Sequence, residues 1–299
     1  MRSIFAIAIA VATVAACVAS AAGQEEPPKA PADAANAQSF AFAIGNGQLS
    51  GGPEQVAERL RAFDLVVVDG ELASAGEVAA LRARGATVLA YLSVGTIEKW
   101  RSWYPNLKPY RLAAWRDWKD EWFADVSNAK LRATLTDKIA PAILDKGFDG
   151  LFLDNVDMIE TRSHRAQRPG MRALVTDLAS EVHGRGGLLF TQNGAYGLRK
   201  LDLLEAIDGW NREDVTYTYD FDHRRYVPNG RGARRAALRE LAAFADRGLI
   251  TTATDYTRAG DKHARKRSIR DACKVGALPY VSDLALTAKR LPDPPLTCP

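Results

Sequence analysis

The feature that most constrains the fold is a series of eight short apolar runs separated by amphipathic segments. Because these runs are nearly continuous in Val, Ile, Leu and Phe rather than alternating, they indicate parallel strands that are buried on both faces. Parallel neighbours require a crossover connection, usually a helix, between one strand and the next. The predicted strands are Phe40–Ile44, Leu65–Asp69, Thr87–Val94, Gly150–Asp154, Leu188–Gln192, Ile207–Asn211, Ile250–Asp255 and Leu278–Ser282.

The segments between the apolar runs carry helix start and stop signals. Ser74 and Glu77 form a capping box at the start of one helix, and Gly85 follows its end. Pro141 is expected to kink another helix, because proline lacks the backbone N–H that the helix needs. The predicted helices are Pro53–Phe63, Ser74–Arg84, Lys130–Lys146, Met171–Gly184, Arg234–Arg247 and Lys262–Val275.

Strands that alternate with helices in this way predict one (β/α)₈ TIM barrel over residues 39–299. A doubly wound open sheet is the alternative arrangement of the same elements. It has less support, because no GxGxxG motif follows the first predicted strand.

Residues 1–22 have the pattern of an export signal. Arg2 precedes the apolar run Ile4–Ala16, which is shorter than the roughly 20 residues of a membrane-spanning helix. Two endings stay open: a lipobox that ends at Cys17, where lipidation would make the chain a lipoprotein, or ordinary cleavage after Ala21. Residues 23–38 are rich in Ala and Pro and are predicted to form a flexible linker. We therefore expect an exported protein that is periplasmic, extracellular or an outer-membrane lipoprotein.

Two cysteines remain after the signal, Cys273 and Cys298. In an oxidising compartment, an even pair favours a disulfide, which here would tie the C-terminal tail to the last predicted helix. The sequence leaves this bridge open, because it does not show whether the two Cα atoms lie within bridging distance.

Polar side chains accumulate at the ends of the predicted strands. In a (β/α)₈ barrel these ends meet at the C-terminal mouth, where the active sites of this fold lie. Asp154 follows a fully apolar strand and lies among other acids, which is more than a helix N-cap requires. Asp69 and Asp157 could instead be helix N-caps, and Glu213 could instead form a surface ion pair with Arg212, so for these three residues a structural role stays open beside a functional one. The candidate substrate-binding residues are Asp69, Tyr91, Ser93, Asn155, Asp157, Asn193, Trp210, Asp255 and Tyr256.

Two carboxylates that face one pocket suit the cleavage of a glycosidic bond. One carboxyl group donates a proton to the leaving oxygen, while the other attacks the anomeric carbon or directs water to it. Metal ligation is the competing use of clustered acids. No histidine lies near a predicted strand end, so we expect no metal and no other cofactor, although a hard-ion site of Asp oxygens alone stays open.

Five of the six tryptophans lie between residues 100 and 122, in a long segment after the third predicted strand. Long segments of this kind are usually functional in compact domains, and aromatic rings suit the apolar faces of sugars. A small satellite core is the alternative use of the same side chains. We expect some tryptophans to serve each purpose.

Several of these segments together resemble glycoside hydrolase family 114, the endo-α-1,4-polygalactosaminidase family. The resemblance covers residues 64–290, and its motifs are Leu89–Gly95, Gly147–Asp157, Gln192–Gly194 and Asp255-Tyr256. The chain departs from the family pattern after Gly95. An acid is expected directly after this glycine, but here Thr96 and Ile97 precede Glu98.

The resemblance implies a (β/α)₈ barrel that carries out retaining hydrolysis of a galactosamine-containing exopolysaccharide. It also implies that Asp154 is the nucleophile and Glu213 the acid/base. The acid role requires a raised pKa, which burial under Trp210 or a nearby carboxylate would supply to Glu213.

The sequence therefore predicts a secreted or lipid-anchored retaining endo-glycosidase that hydrolyses an α-1,4-linked, galactosamine-containing exopolysaccharide. The alternative is a non-catalytic polysaccharide-binding lipoprotein on the same barrel. A formal net charge of +4 is too small to indicate a nucleic-acid partner, and it would repel a polycation unless acids dominate near the site. The expected partner is an amino-sugar polymer, membrane contact is expected only through a lipid anchor, and the protein is expected to be a monomer.

Overall fold

The computed structural model describes residues 34–298. The predicted export signal, Cys17 and the first part of the predicted linker lie outside the described residues. The end of the linker segment is described, and there Ala34–Asn36 form a 3₁₀ turn in which Ala34 is buried.

Eight parallel strands form one sheet in chain order, and the first strand lies beside the last, so the barrel is nearly closed. The predicted (β/α)₈ barrel is confirmed. Half of the strands have the predicted bounds, and the others differ by one or two residues at an end. The strands are β1 (Phe40–Ala43), β2 (Leu65–Asp69), β3 (Thr87–Ser93), β4 (Gly150–Asp154), β5 (Leu188–Gln192), β6 (Gly209–Glu213), β7 (Ile250–Tyr256) and β8 (Leu278–Ser282).

Aromatic side chains fill the N-terminal part of the barrel interior. Phe40 packs edge-on against Tyr280, with ring centroids 5.9 Å apart. Phe42 packs against Phe152 at 5.2 Å and against Tyr91 at 6.2 Å. The barrel is therefore a packed core in this part and not a pore.

Toward the C-terminal ends of the strands the interior becomes polar. Asn211 is fully buried, accepts hydrogen bonds from the hydroxyls of Thr252 and Thr254, and donates to Gln192 at 2.9 Å. A buried network whose polar groups are paired costs little stability and specifies one arrangement. It ties the ends of β5, β6 and β7 together beneath the mouth.

Helices surround the barrel, and the predicted capping box is confirmed. The backbone N–H of Glu77 donates to Ser74 Oγ at 3.2 Å, and the backbone N–H of Ser74 donates to Glu77 Oε2 at 2.7 Å. The α-helices are Pro53–Leu60, Ala75–Ala83, Tyr104–Leu107, Ala129–Thr134, Ala140–Leu144, Arg168–Gly184, Ala195–Lys200, Arg231–Ala245 and Lys262–Cys273. The longer 3₁₀ turns are Val156–Glu160 and Arg162–Gln167.

The helix predicted over residues 130–146 is interrupted in its middle. Leu135–Ile139 is π-helical and separates two α-helical pieces. Pro141 lacks the N–H that would continue the α-helical ladder, and a widened π-helical turn lies just before it.

Two additional β elements stand at the mouth of the barrel. Thr96–Glu98, Arg111–Ala114 and Glu121–Ala124 form an antiparallel three-stranded sheet within the segment predicted only as a long loop. Tyr217–Asp220 and Arg225–Pro228 form a hairpin that the sequence did not predict. We call these two elements the mouth sheet and the mouth hairpin.

Cys273 and Cys298 form a disulfide, with their Cα atoms 5.3 Å apart. Cys273 ends the helix that leads into β8, so the bridge fastens the C-terminal tail to the N-terminal end of the barrel. Within residues 34–298, no helix is both long enough and apolar enough to cross a membrane.

Candidate active site

The mouth of the barrel holds a cavity of about 420 Å³. Its walls come from the C-terminal ends of the barrel strands, the mouth sheet and the mouth hairpin. Among the described residues, seven carboxylate side chains and one guanidinium, that of Arg101, line it. The carboxylates are Asp69, Glu98, Glu121, Asp154, Asp157, Glu213 and Asp214.

Asp154 is the last residue of β4, and three donors fix its carboxylate. Oδ2 accepts a hydrogen bond from the Tyr91 hydroxyl at 2.7 Å. Oδ1 accepts from the backbone N–H of Asn155 at 2.6 Å and from Gln192 Nε2 at 3.0 Å. Burial raises the pKa of Asp154, and these three hydrogen bonds oppose that shift because they stabilise the ionised form.

The chain turns sharply after Asp154, and close packing holds that turn. Asn155 has a left-handed backbone with φ of 60°, and its Nδ2 donates to Ser93 Oγ at 2.9 Å. Gly95 packs so closely that a Cβ there would lie 1.9 Å from the carbonyl oxygen of Asn155. Ser93 is buried behind the cavity wall and supports Asn155, instead of binding substrate as predicted.

Glu213 is the last residue of β6, and its carboxyl group is held at both oxygens. Oε1 accepts a hydrogen bond from the Tyr256 hydroxyl, and Oε2 accepts from Asn193 Nδ2 at 2.9 Å. Burial, followed by the negative charges of Asp154 and Asp214, raises the pKa of Glu213 to about 8. Glu213 therefore carries a proton at neutral pH, as a general acid must.

Asn193 connects the end of β5 to β6 and sets the position of Glu213. Its backbone is left-handed with φ of 55°. Its Oδ1 accepts from the backbone N–H of Glu213 at 3.1 Å and from Arg212 at 2.9 Å. The same side chain thus contacts both the backbone and the carboxyl group of Glu213.

Trp210 lies outside the cavity, contrary to its prediction as a substrate-binding residue and as the cover of Glu213. It is fully buried and packs against Phe244, with ring centroids 4.3 Å apart. Because side chains alternate along a strand, Trp210 points to the helix side of β6 while Glu213 points into the barrel. Its indole N–H donates to the carbonyl oxygen of Asn193 at 2.6 Å, so it supports the site from behind.

Asp69 lines the cavity but is fully engaged by protein groups. Arg101 Nη1 lies 2.8 Å from each of its carboxylate oxygens. Its Oδ1 also accepts the backbone N–H groups of Glu71 and Leu72, so it caps the turn after β2. The Arg101 guanidinium pairs with Glu98 as well, so one positive charge is shared between two of the cavity carboxylates.

Three further cavity carboxyl groups hold their protons more tightly than usual. Burial is the largest cause in each case, and it raises the pKa of Glu121 to about 8, of Asp157 to about 7 and of Asp214 to about 6. The negative charge of Asp154 contributes for Glu121 and Asp157. Glu121 and Arg101 were missed because they lie around the mouth sheet, away from the ends of the barrel strands.

Asp255 also lies outside the cavity, although it precedes Tyr256, which lines it. Its Oδ1 accepts the backbone N–H groups of Val215 at 2.8 Å and Thr216 at 2.9 Å. Asp255 therefore fixes the turn that leads from β6 into the mouth hairpin, rather than binding substrate.

Six of the nine predicted substrate-binding residues thus meet at one cavity with Asp154 and Glu213. These six are Asp69, Tyr91, Asn155, Asp157, Asn193 and Tyr256. Within the described part of the chain, no group of three or more His, Cys, Asp or Glu side chains is arranged to hold a metal ion.

The barrel is similar to solved structures of other proteins, among them a bacterial and a fungal one. It superposes on the glycoside hydrolase domain of PelA from Pseudomonas aeruginosa with a TM-score of 0.71 and 23% identity, covering 84% of this chain and 96% of that one. It superposes on Aspergillus fumigatus Ega3 in complex with galactosamine with a TM-score of 0.64 and 16% identity, covering 84% and 91% of the two chains. At these identities the likeness shows a shared fold.

Sequence comparison gives the family. An uncharacterized protein of Deinococcus radiodurans is 27% identical over 249 residues, which are 78% of this chain and 77% of the relative. One of Thermotoga maritima is 26% identical over 263 residues, covering 75% and 76%. The model of glycoside-hydrolase family GH114 matches residues 19–292, which include nearly the whole described barrel. The chain therefore belongs to glycoside hydrolase family GH114 and is a glycoside hydrolase.

Proposed function

We propose that this protein is a retaining endo-glycosidase that hydrolyses an α-1,4-linked, galactosamine-containing exopolysaccharide. The observation that carries the proposal is the pair formed by Asp154 and Glu213 in one cavity. Burial raises the pKa of Asp154, but three donors oppose that rise by stabilising its ionised form, whereas burial and the negative charges of Asp154 and Asp214 raise the pKa of Glu213 to about 8. Two carboxyl groups whose surroundings separate their protonation states are suited to act as nucleophile and acid.

In the first step the carboxylate of Asp154 attacks the anomeric carbon. The bond from that carbon to the leaving oxygen breaks, and Glu213 gives its proton to this oxygen. A glycosyl ester on Asp154 remains, and Glu213 is now ionised.

In the second step Glu213 takes a proton from water as the water oxygen attacks the anomeric carbon. The ester bond to Asp154 breaks, which restores its carboxylate and the proton on Glu213. No cofactor enters either step.

The substrate class is supported by the charge of the cavity. Seven carboxyl side chains and one guanidinium line it among the described residues. Glu121 and Glu213 carry protons at neutral pH, yet the remaining carboxylates still outnumber the guanidinium, so negative charge dominates locally although the chain as a whole carries a net charge of +4. Such a cavity attracts ammonium groups, which galactosamine units carry when they are not acetylated. The similar fold of Ega3, which was solved with galactosamine, agrees with this choice.

The stereochemical course tests the retaining mechanism. Proton NMR during the first minutes of hydrolysis is expected to show release of the α-anomer, because two successive displacements at the anomeric carbon retain its configuration. Release of the β-anomer would contradict the assignment of Asp154 as nucleophile.

We further propose that the protein is exported, as a monomer, and lipidated at Cys17. The support is the apolar run Ile4–Ala16 and the lipobox that ends at Cys17. Labelled palmitate is expected to enter the wild-type chain and not the Cys17→Ser variant. Equal labelling of both chains would contradict lipidation at this residue, and absence of label from both would favour cleavage after Ala21.

A further inference from the structure

The tryptophans around the cavity fall into two groups. Those of the first group pack inside the mouth sheet. Trp122 lies 6.0 Å from the Tyr104 ring and 4.3 Å from the Arg111 guanidinium, and Trp115 stacks on Phe123 at 5.4 Å. These two side chains build the satellite core that was one of the two predicted uses, and Trp115 also lines the cavity with its ring stacked on Phe123.

Trp100 and Trp118 form the second group. They are 53% and 37% exposed, and both line the cavity that contains Asp154 and Glu213. Trp118 contacts Trp115 and Phe221 at interplanar angles of 65° and 67°, so neither neighbour stacks in parallel on its indole. These two side chains therefore present aromatic surface at the rim of the site.

We propose that Trp100 and Trp118 form an aromatic platform that binds the sugar units next to those held by Asp154 and Glu213. This inference rests on the proposed function and names the part of the site that recognises a long chain. The apolar face of a sugar ring packs well on an indole, and an ammonium group is attracted to the face of tryptophan more strongly than to other rings. A partially deacetylated galactosamine polymer offers an apolar ring face in each unit and an ammonium group in each unit that is not acetylated.

The platform extends the substrate-binding surface from the cavity to its rim. Asp154 and Glu213 are less exposed than the two indoles, so we place the cleaved unit at the carboxyl groups and the further units of the chain at Trp100 and Trp118. Because the platform does not touch the reacting atoms, it contributes to the binding of long chains more than to the chemical step. We expect its loss to raise KM for the polymer more than it lowers kcat.

The test compares a partially deacetylated galactosamine polymer with the shortest galactosamine oligosaccharide that the wild type cleaves. The quantity measured is the ratio of kcat/KM for polymer to kcat/KM for oligosaccharide. In Trp100→Ala and in Trp118→Ala this ratio is expected to fall roughly 5- to 10-fold, in line with the strength of single aromatic contacts. Trp118→Phe keeps a ring beside Phe221, so its ratio is expected to fall less than that of Trp118→Ala.

Tyr196→Ala is the matched control. Tyr196 is 53% exposed, the same fraction as Trp100, but it does not line the cavity. Its ratio is expected to equal that of the wild type. An unchanged ratio in both tryptophan variants, or an equal fall in Tyr196→Ala, would overturn the platform.

Binding separates the failure of this inference from the failure of the proposed function. If the wild type cleaves neither substrate, the proposed function fails. The platform is then judged by electrophoresis through gels that contain the polymer, in which Trp100→Ala and Trp118→Ala are expected to be retarded less than the wild type. Equal retardation of all three chains would overturn the platform independently of activity.

Discussion

At the scale of single residues, hydrogen-bond partners distinguish the two central carboxyl groups. Asp154 accepts three hydrogen bonds, one of them from a backbone N–H, whereas Glu213 accepts two and lies close to the charge of Asp154. Hydrolysis needs Asp154 ionised and Glu213 protonated. Activity is therefore expected to decline as the pH rises past about 8, where Glu213 loses its proton.

The Tyr256→Phe substitution tests which group sets this decline. The Tyr256 hydroxyl stabilises the ionised form of Glu213, so its removal raises the pKa of Glu213 further. The alkaline limb of the kcat/KM profile is expected to move to higher pH, while Tyr196→Phe leaves it in place. A limb that stays fixed or moves to lower pH in Tyr256→Phe would show that another group controls it.

Gly95 tests how tightly the turn after Asp154 is held. An added Cβ would meet the Asn155 carbonyl oxygen at 1.9 Å, so Gly95→Ala must displace the residue that follows the nucleophile. We expect a loss of roughly 1 to 3 kcal/mol in the free energy of unfolding, measured in urea, together with a loss of activity.

Gly232→Ala is the comparison for Gly95→Ala. Gly232 lies in the helix Arg231–Ala245, and a Cβ there would meet no atom within 4 Å among the described residues. The substitution is expected to stabilise the protein by about 0.5 to 1 kcal/mol, because alanine is the better helix former. Equal effects of the two substitutions would contradict the role given to close packing at Gly95.

The sequence was sufficient to predict which side chains of a strand point into the barrel and which point to the helices. On β6, the alternation of side chains puts Asn211 and Glu213 inside the barrel and Trp210 outside, and the same rule places Asp255 outside on β7. Proximity to the end of a strand and this alternation give opposite predictions for Trp210 and Asp255, and the structure follows the alternation. Glu121 was beyond reach, because it enters the cavity only through the pairing of the mouth sheet.

At the scale of elements, continuous apolar runs predicted those barrel strands well whose side chains are apolar and buried on both faces of the sheet. β6 was predicted two residues too early, over Ile207–Asn211, because its C-terminal end is polar. Asn211 is nevertheless fully buried, since Thr252 and Thr254 satisfy it. The strands of the mouth sheet are only three or four residues long, and they contain charged residues, so no apolar run marks them.

The disulfide between Cys273 and Cys298 is the covalent link between two elements. The double variant Cys273→Ser/Cys298→Ser is expected to lose about 2 to 4 kcal/mol of unfolding free energy, because the unfolded chain is no longer constrained. Urea denaturation with and without dithiothreitol measures this loss. The reductant is expected to destabilise the wild type and leave the double variant unchanged, and equal stability of both chains without reductant would contradict the prediction.

At the scale of the whole molecule, the alternation of strands and helices was sufficient to predict the barrel. The net charge was less informative, because it does not report how charge is distributed. A chain of net charge +4 concentrates seven carboxylates at one cavity, where they face a single guanidinium among the described residues. The acids at the strand ends indicated part of this concentration, but Glu98 and Glu121 join it only through the mouth sheet, which no local pattern marks.

This concentration makes the stability of the protein depend on pH. Folding raises the pKa of Glu121 and Glu213 to about 8 and that of Asp157 to about 7. Between the ordinary pKa and the raised one, the folded state binds protons that the unfolded state has released, so stability falls as pH rises through that interval. The free energy of unfolding is expected to be lower at pH 8 than at pH 5 by at least about 1.4 kcal/mol, which corresponds to one pKa unit.

Urea denaturation at the two pH values measures this difference. The Glu121→Gln variant has one fewer group that titrates in the interval, so its stability is expected to change less with pH. A wild-type protein that is equally stable or more stable at pH 8 would contradict the raised pKa values.

The central claim is that Asp154 and Glu213 together hydrolyse a galactosamine-containing polymer. The most direct measurement is the release of reducing ends from partially deacetylated polymer by the wild type, Asp154→Asn and Glu213→Gln, two variants that keep the size of each side chain. We predict release by the wild type and a loss of roughly a hundredfold or more in each variant. Undiminished release by either variant would contradict the claim, and polymer binding without release by the wild type would identify a non-catalytic binding protein instead.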